Sequence, residues 1–226
     1  MNWTERIRPA LDRLPLLVWL SLIIVTLSGL GCEPAAAQDV PRAAEQYRRD
    51  LVRVAQWQFG LGAPVATLAG QIHQESAWRH SAVSPAGAQG LAQFMPATGR
   101  WMAEIYPRRL GPADPFNPGW ALRAMVTYNQ WHLDRIQAHT HCEKWAMALA
   151  AYNGGLGWIN RDKRLASASG ADPLTWFDSV ERFNAGRSAA NFRENRDYPR
   201  RILERWEPMY VRAGWGRGVC GERYEL

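Results

Sequence analysis

The segment that decides the fold of this 226-residue chain reads ESAWRHSAVSPAGAQGLAQFMPAT and runs from Glu75 to Thr98. An apolar helix is predicted immediately before it, because Pro64 stands where proline favours a helix start. Three apolar residues recur on one face of this helix at helical spacing: Val65, Leu68 and Ile72. Glu75 falls within the same arc, so its carboxylate is predicted to point inward from an apolar helix face.

The rest of the chain is also predicted to be helical. No run of alternating β-branched residues indicates a strand. The remaining predicted helices cover residues 43–59, 96–106, 120–136, 143–152 and 197–212. We expect a proline-rich surface connection over residues 107–118 and a long loop with one short helix over residues 161–192. The fold class is therefore predicted to be all-α.

Residues 1–37 have the layout of an export signal or an anchor. Basic residues precede an apolar run from Leu16 to Leu30, and Ala35-Ala36-Ala37 offers a small-residue cleavage site. Three outcomes stay open: cleavage, lipidation at Cys32, or a retained anchor with membrane attachment through residues 14–32. Each outcome places the folded domain, residues 38–226, outside the cytoplasm.

The cysteines agree with export. Once Cys32 is removed or lipidated, Cys142 and Cys220 remain as an even pair that suits one disulfide in an oxidising compartment. Two unrelated buried thiols are the alternative. No CxxC pair and no His/Cys cluster at ligand spacing occurs, so we predict no metal site.

The segment Glu75–Thr98 closely resembles the active-site segment of soluble lytic transglycosylases. The family pattern is a Glu-Ser pair followed by Ser-x-x-Gly-Ala-x-Gly-Leu-Met-Gln-x-Met-Pro-x-Thr. Three further segments resemble family motifs and occur in the expected order: DPFNP from Asp114, AYNGG from Ala151 and ENRDY from Glu194. The resemblance covers roughly residues 60–212.

Two departures from the family pattern are visible. Ala92 stands where the family usually has Met, and Gly154 stands where it has Ala. The smaller side chain at position 92 removes an apolar wall near the glycan groove. The departure at Ala92 therefore bears on substrate affinity more than on chemistry.

The resemblance implies a single lysozyme-like domain, of the goose-type lysozyme and lytic transglycosylase kind, after the signal or anchor segment. It implies a peptidoglycan lytic transglycosylase of the cell envelope or periplasm, without metal or organic cofactor. In that reaction Glu75 protonates the glycosidic oxygen between N-acetylmuramic acid and N-acetylglucosamine. It then acts as base on the muramic 6-hydroxyl, which closes a 1,6-anhydro ring.

The residues themselves support a single acid. A carboxylate on an apolar face has its charged form disfavoured, so its pKa rises toward the working pH, as a proton donor requires. Ordinary glycosidases use two carboxylates, but Glu104 is the only other acid between Glu75 and Asp114 and belongs to no motif. This pattern favours a mechanism in which the N-acetyl group of the substrate assists.

Five further residues are predicted to bind substrate: Ser84, Gln93, Tyr152, Asn153 and Tyr198. Gln93 offers an amide to sugar groups, and the resemblance implies that Tyr198 lies close to Glu75. Structural alternatives stay open for the others: a turn serine at Ser84, a core tyrosine bonded to a backbone carbonyl at Tyr152, and a helix cap at Asn153. Gly87 and Gly90 are predicted to let backbone approach the substrate closely.

The net charge of +6 favours anionic partners such as peptidoglycan. Export and scattered arginines argue against nucleic acid, and we expect a monomer. Two alternatives to the transglycosylase remain: a goose-type lysozyme-like hydrolase, and a non-catalytic wall-binding assembly protein of a secretion or conjugation system.

Overall fold

The computed structural model describes residues 40–221, so the predictions for residues 1–37 lie outside the described part. The α-helices are α1 (Arg42–Glu45), α2 (Arg48–Phe59), α3 (Val65–Ser76), α4 (Pro96–Ile105), α5 (Pro107–Leu110), α6 (Pro118–Leu133), α7 (His141–Gly154), α8 (Leu156–Ala168), α9 (Ala189–Arg200) and α10 (Glu207–Arg212), and a short 3-10 helix covers Val180–Arg182. A π-helical segment, Arg201–Trp206, joins α9 to α10. Residues 40–221 contain isolated β-bridges but no strand, which confirms the all-α prediction.

Helix α7 forms the centre of the core. Its residues from Trp145 to Ala151 are all buried, and it packs against α6, α8 and α9. A helix that is apolar on every side has to be enclosed by other elements. Of the helices that supply candidate site residues, α9 is therefore packed directly on α7.

Helix α3 is buried from Val65 to Ile72 and packs against α2, α10 and the π-helical segment. It ends after Ser76 because Ala77 and Trp78 adopt left-handed backbone, with φ of 49° and 67°. Trp78 is buried and donates its indole N–H to the Tyr210 hydroxyl. This anchor holds the end of the helix, which carries Glu75, in a defined place.

The loop that joins α3 to α4 is packed directly against the turn before α6. Gly90 has a φ of 77°, and a Cβ at this position would collide with the carbonyl oxygen of Pro115. The close approach that we expected toward substrate at Gly90 is thus made to another part of the chain. Asn117 then begins α6 by accepting a hydrogen bond from the backbone N–H of Trp120 at 3.1 Å.

Two helix predictions were wrong. Residues 161–168 belong to α8 and not to a long loop. The buried face of α8 consists of Ile159, Asp162 and Ala166. The sequence did not indicate this helix because the charged residue at position 162 interrupts the apolar periodicity. The helix predicted to start at residue 197 instead starts at Ala189, capped by the Ser188 hydroxyl.

Pro199 therefore lies inside α9 rather than in a first turn. Proline lacks the N–H of a normal helical hydrogen bond. The chain passes into the π-helical segment two residues later, where the helix hydrogen bonds are reorganised. Helical structure thus continues through the proline.

The predicted disulfide is present between Cys142 and Cys220, which are 78 residues apart in sequence. Buried carboxylates lie beside both ends of it. Glu143 accepts a hydrogen bond from the backbone N–H of Trp176 at 2.6 Å, and Glu207 accepts one from the backbone N–H of Cys220 at 3.1 Å. The C-terminal segment is thus held to α7 and α10.

No helix within residues 40–221 is long and apolar enough to cross a membrane.

Reduction of the disulfide is expected to lower the free energy of unfolding by about 4 kcal/mol, because a loop of this length gains much conformational freedom in the unfolded chain. Urea unfolding with and without reducing agent measures the change. A variant with Cys142→Ser and Cys220→Ser is the control and should not respond to the reducing agent. Equal stability of the oxidised and reduced protein would contradict the prediction.

Candidate active site

A cavity of about 380 Å³ lies at the C-terminal end of α3. It is lined by residues from α3, the following loop, α4, α6, α7 and α9. All the residues predicted for catalysis and substrate binding line it: Glu75, Ser84, Gln93, Tyr152, Asn153 and Tyr198. The structure therefore brings together residues that are far apart in sequence.

Glu75 is held by one hydrogen bond from a distant helix. Tyr198, buried on α9, donates its hydroxyl to the Oε1 atom of Glu75. Burial raises the pKa of Glu75 to about 8; the Tyr198 hydrogen bond opposes this shift, and the negative charge of Glu194 adds to it. The carboxyl group is therefore largely protonated at neutral pH, as a general acid requires.

Tyr152 holds the loop against α7. Its hydroxyl donates to the backbone carbonyl of Ala92 at 2.8 Å. This is the bond expected if Tyr152 is a core tyrosine, although Tyr152 also lines the cavity. Burial and the nearby Glu75 raise its pKa well above the ordinary range. Tyr152 therefore stays neutral and positions the loop.

Gln93 and Ser84 also stabilise the loop from within. Gln93 has left-handed backbone, with φ of 48°, and its amide nitrogen donates to the carbonyl of Gly90 at 2.9 Å and to that of Ala82 at 3.2 Å. The Ser84 hydroxyl accepts from the backbone N–H of Ala88 at 3.0 Å. The side chains on this wall of the cavity are thus fixed by the loop itself.

Asn153 does not cap α7: the helix ends at Gly154, and its C-cap is Gly155, with φ of 93°. Its side chain instead accepts a hydrogen bond from the amide of Asn195 at 3.1 Å. Asn195 is buried and also donates to the carbonyl of Ala150 at 2.7 Å. A Cβ on Gly154 would lie 2.6 Å from the Asn195 amide nitrogen, so glycine at position 154 makes room for this side chain.

Three residues near Glu75 were missed as site residues by sequence reasoning. Glu194 lines the cavity as a second carboxylate, and it was noted only as part of a motif. Gln71 and Asn129 are fully buried behind Tyr198. The sequence did offer one signal for Gln71, because it is a polar residue on an otherwise apolar, buried stretch of α3.

Among residues 40–221, no group of three or more His, Cys, Asp and Glu side chains is placed to hold a metal ion.

Comparison with solved structures identifies the class of fold. The 70-kDa soluble lytic transglycosylase of Escherichia coli superposes with a TM-score of 0.54 and 21% identity, over 76% of this chain and 25% of that chain. The lysozyme-like fold expected from the motifs is thereby confirmed.

The Transglycosylase SLT domain family matches residues 51–174, more than half of the chain. The chain belongs to this family, which confirms the resemblance seen in its motifs.

Two curated relatives are both described as membrane-bound lytic murein transglycosylase F. The Vibrio cholerae protein is 34% identical over 119 residues, which cover 52% of this chain and 20% of that protein. The Thiobacillus denitrificans protein is 29% identical over 167 residues, which cover 66% of this chain and 34% of that protein. The chain thus spans about a fifth to a third of the length of these relatives.

Glu75→Gln is expected to stabilise the protein at neutral pH by about 1–3 kcal/mol. A carboxyl whose pKa rises on folding to about 8 makes the folded state less stable as pH increases from the ordinary value of 4.5. The neutral amide lacks this loss. Urea unfolding at pH 4 should show little difference between the two proteins, and at pH 8 the variant should be more stable.

Glu104→Gln, on the exposed face of α4, serves as the matched control and should show no gap that grows with pH. If the free energies of unfolding of Glu75→Gln and the wild type differed by the same amount at pH 4 and at pH 8, burial would not raise the pKa of the Glu75 carboxyl.

Gly154→Ala is expected to lower the free energy of unfolding by about 1–3 kcal/mol, because its methyl group would press on the Asn195 amide. The loss should be smaller when Asn195→Ser is already present. Thermal and urea unfolding of the single and double variants measure this coupling. Gly157→Ala, where no atom lies within 4 Å of the added Cβ, is the control; additive effects at positions 154 and 195 would refute the coupling.

Proposed function

We propose that this protein is a peptidoglycan lytic transglycosylase with Glu75 as its catalytic acid and base. The observation that carries the proposal is the carboxyl group of Glu75, which lies at the cavity wall, is protonated near neutral pH because of its burial, and accepts a hydrogen bond from Tyr198. Membership of the Transglycosylase SLT domain family and the description of the relatives as lytic murein transglycosylases support the same activity.

In the proposed first step, Glu75 donates its proton to the glycosidic oxygen of the MurNAc–GlcNAc β-1,4 bond. The bond between this oxygen and C1 of the muramic acid breaks, and the N-acetyl group of the substrate stabilises the positive charge that develops at C1. Glu75 is then a carboxylate, and the Tyr198 hydroxyl stabilises its charge.

In the second step, Glu75 removes the proton from the muramic 6-hydroxyl, whose oxygen forms the new bond to C1. The product carries a 1,6-anhydro ring, and Glu75 is protonated again for the next cycle. A raised pKa suits both steps, because the group has to give and then recover a proton near neutral pH.

The other lining residues are proposed to bind the glycan. The amide nitrogen of Gln93 is used within the loop, so its oxygen is the atom that can accept from sugar hydroxyl or N–H groups. Asn153 is exposed at the cavity edge and can contact the sugar next to the cleaved bond. Ser84 and Tyr152 are proposed to contact substrate while they hold the loop wall in place.

The export-type segment and the relatives, which are described as membrane-bound, support a proposal for the cellular setting. We propose that residues 38–226 act as a monomeric catalytic domain in the cell envelope or periplasm. Attachment through residues 14–32, or through lipid on Cys32, would keep the domain near the membrane, and cleavage would release it.

Hydrolysis is the second candidate reaction, as in goose-type lysozymes. Glu194 lines the same cavity and is exposed, so its carboxylate could orient a water molecule toward C1. The two candidates differ in their products: a reducing muramic acid end from hydrolysis, and an anhydro end from the transglycosylase.

Digestion of purified peptidoglycan followed by mass spectrometry tests the proposal. We expect fragments with 1,6-anhydro-MurNAc ends, and a loss of rate of roughly a thousandfold in Glu75→Gln. Glu104→Gln, which changes an acid outside the cavity, should keep the wild-type rate. Reducing ends alone would establish the hydrolase, and unchanged wall clearing by Glu75→Gln would overturn the catalytic assignment.

A further inference from the structure

We propose that Gln71 and Asn129 form a buried amide relay that positions the Tyr198 hydroxyl as a hydrogen-bond donor to Glu75. The inference rests on the proposed catalytic role of Glu75, and it assigns positioning roles to two residues that do not line the cavity.

The relay is a continuous series of hydrogen bonds across three helices. The Asn129 amide nitrogen on α6 donates to the Gln71 side-chain oxygen on α3 at 2.6 Å. The Gln71 amide nitrogen donates to the Tyr198 hydroxyl oxygen at 3.4 Å. The Tyr198 hydroxyl in turn donates to Glu75.

The direction of these bonds follows from the orientation of the two amide groups. Asn129 turns its nitrogen toward Gln71, so the oxygen of Gln71 faces α6 and its nitrogen faces Tyr198. The Asn129 side-chain oxygen has no hydrogen-bond partner among residues 40–221. The Tyr198 oxygen then accepts, and its single hydrogen is free to point at Glu75. Every donor in the series is therefore oriented toward the carboxyl group.

Burial makes the arrangement effective. Both amide side chains are completely inaccessible to solvent, and an isolated buried amide costs free energy unless it is hydrogen-bonded. Hydrogen bonds in series polarise one another in a medium of low dielectric constant. The relay thus strengthens the Tyr198 bond most when Glu75 is charged, which is the state between the two proton transfers.

Within residues 40–221, few charged and titratable groups face Glu75. Tyr198 and Glu194 come from α9, Tyr152 from α7 and Tyr128 from α6. Burial raises the pKa of each tyrosine, that of Tyr128 to about 12, so these hydroxyls stay neutral in the working range.

Glu194 is the other carboxylate at the cavity, and its charge raises the pKa of Glu75. His73, on the same helix as Glu75, stacks on Trp206 and bonds to the Tyr210 hydroxyl. The loop wall contributes uncharged groups, among them Ser84 and Gln93. A change in the titration of Glu75 on removal of the relay can therefore be assigned to the Tyr198 bond.

Gln71→Met tests the relay, because methionine fills a similar volume and cannot donate to Tyr198. Carbon-13 NMR of the glutamate carboxyl groups gives the Glu75 titration directly, with Glu75→Gln identifying the signal. We expect the pKa of Glu75 to rise by about 0.5–1 unit, since the charged form loses stabilisation. The alkaline limb of the kcat/KM profile should move to higher pH by the same amount.

Thr67→Val is the matched control. It also removes a buried hydrogen bond from α3, the one from the Thr67 hydroxyl to Glu207, and should lower stability without moving the Glu75 titration. In a Tyr198→Phe background, Gln71→Met should produce no further shift, because the relay acts only through the tyrosine hydroxyl.

A Glu75 titration in Gln71→Met equal to that of the wild type would overturn the proposal, as would a full additional shift in the Tyr198→Phe background. If Gln71→Met does not fold, Asn129→Leu takes its place, with a smaller shift in the same direction expected and an unchanged titration again decisive against the relay. The NMR measurement needs no substrate, so a failure of the relay and a failure of the proposed transglycosylase activity are distinguishable.

Discussion

The hydrogen bond from Tyr198 to Glu75 is the interaction on which the geometry of the cavity depends. It joins residues 123 positions apart, so it forms only when α3 and α9 are both correctly packed. The π-helical segment fixes one side of this arrangement by packing on α3, and α7 fixes the other by packing on α9. The burial of the Glu75 carboxyl group and its hydrogen bond from Tyr198 are thus consequences of the assembled core.

The loop wall depends on a different kind of constraint. Left-handed backbone at Ala77, Trp78 and Gln93 requires support from the surroundings, since non-glycine residues adopt it reluctantly. At Gln93 the side-chain bond to the Gly90 carbonyl and the Tyr152 bond to the neighbouring Ala92 carbonyl supply that support, and at Trp78 the bond to the Tyr210 hydroxyl supplies it. The wall of the cavity is thus held by specific contacts and not by regular secondary structure.

A buried polar network links α8 to the far edge of the cavity. Asp162 pairs with Arg196 at 2.7 Å, Arg196 donates to the side-chain oxygen of Asn195, and Asn195 donates to Asn153 at 3.1 Å. Glycine at position 154 and asparagine at position 195 fit together in this network. The departure from the family's alanine is therefore accommodated by a specific contact, in addition to any effect on the glycan groove.

The amino-acid sequence by itself determined the helical class and the inward direction of Glu75, because these follow from local periodicity and residue chemistry. It offered Cys142 and Cys220 as a candidate pair, and the tertiary structure decided that they form a disulfide. Only the tertiary structure decided that Asp162 lies on the buried face of α8, that α9 continues through Pro199, and that Gln71 donates a hydrogen bond to Tyr198. Each of these depends on a partner far away in sequence. The same distinction holds for the pKa of Glu75. The position of Glu75 on an apolar helix face predicted that its pKa is raised, and the surrounding helices determine by how much.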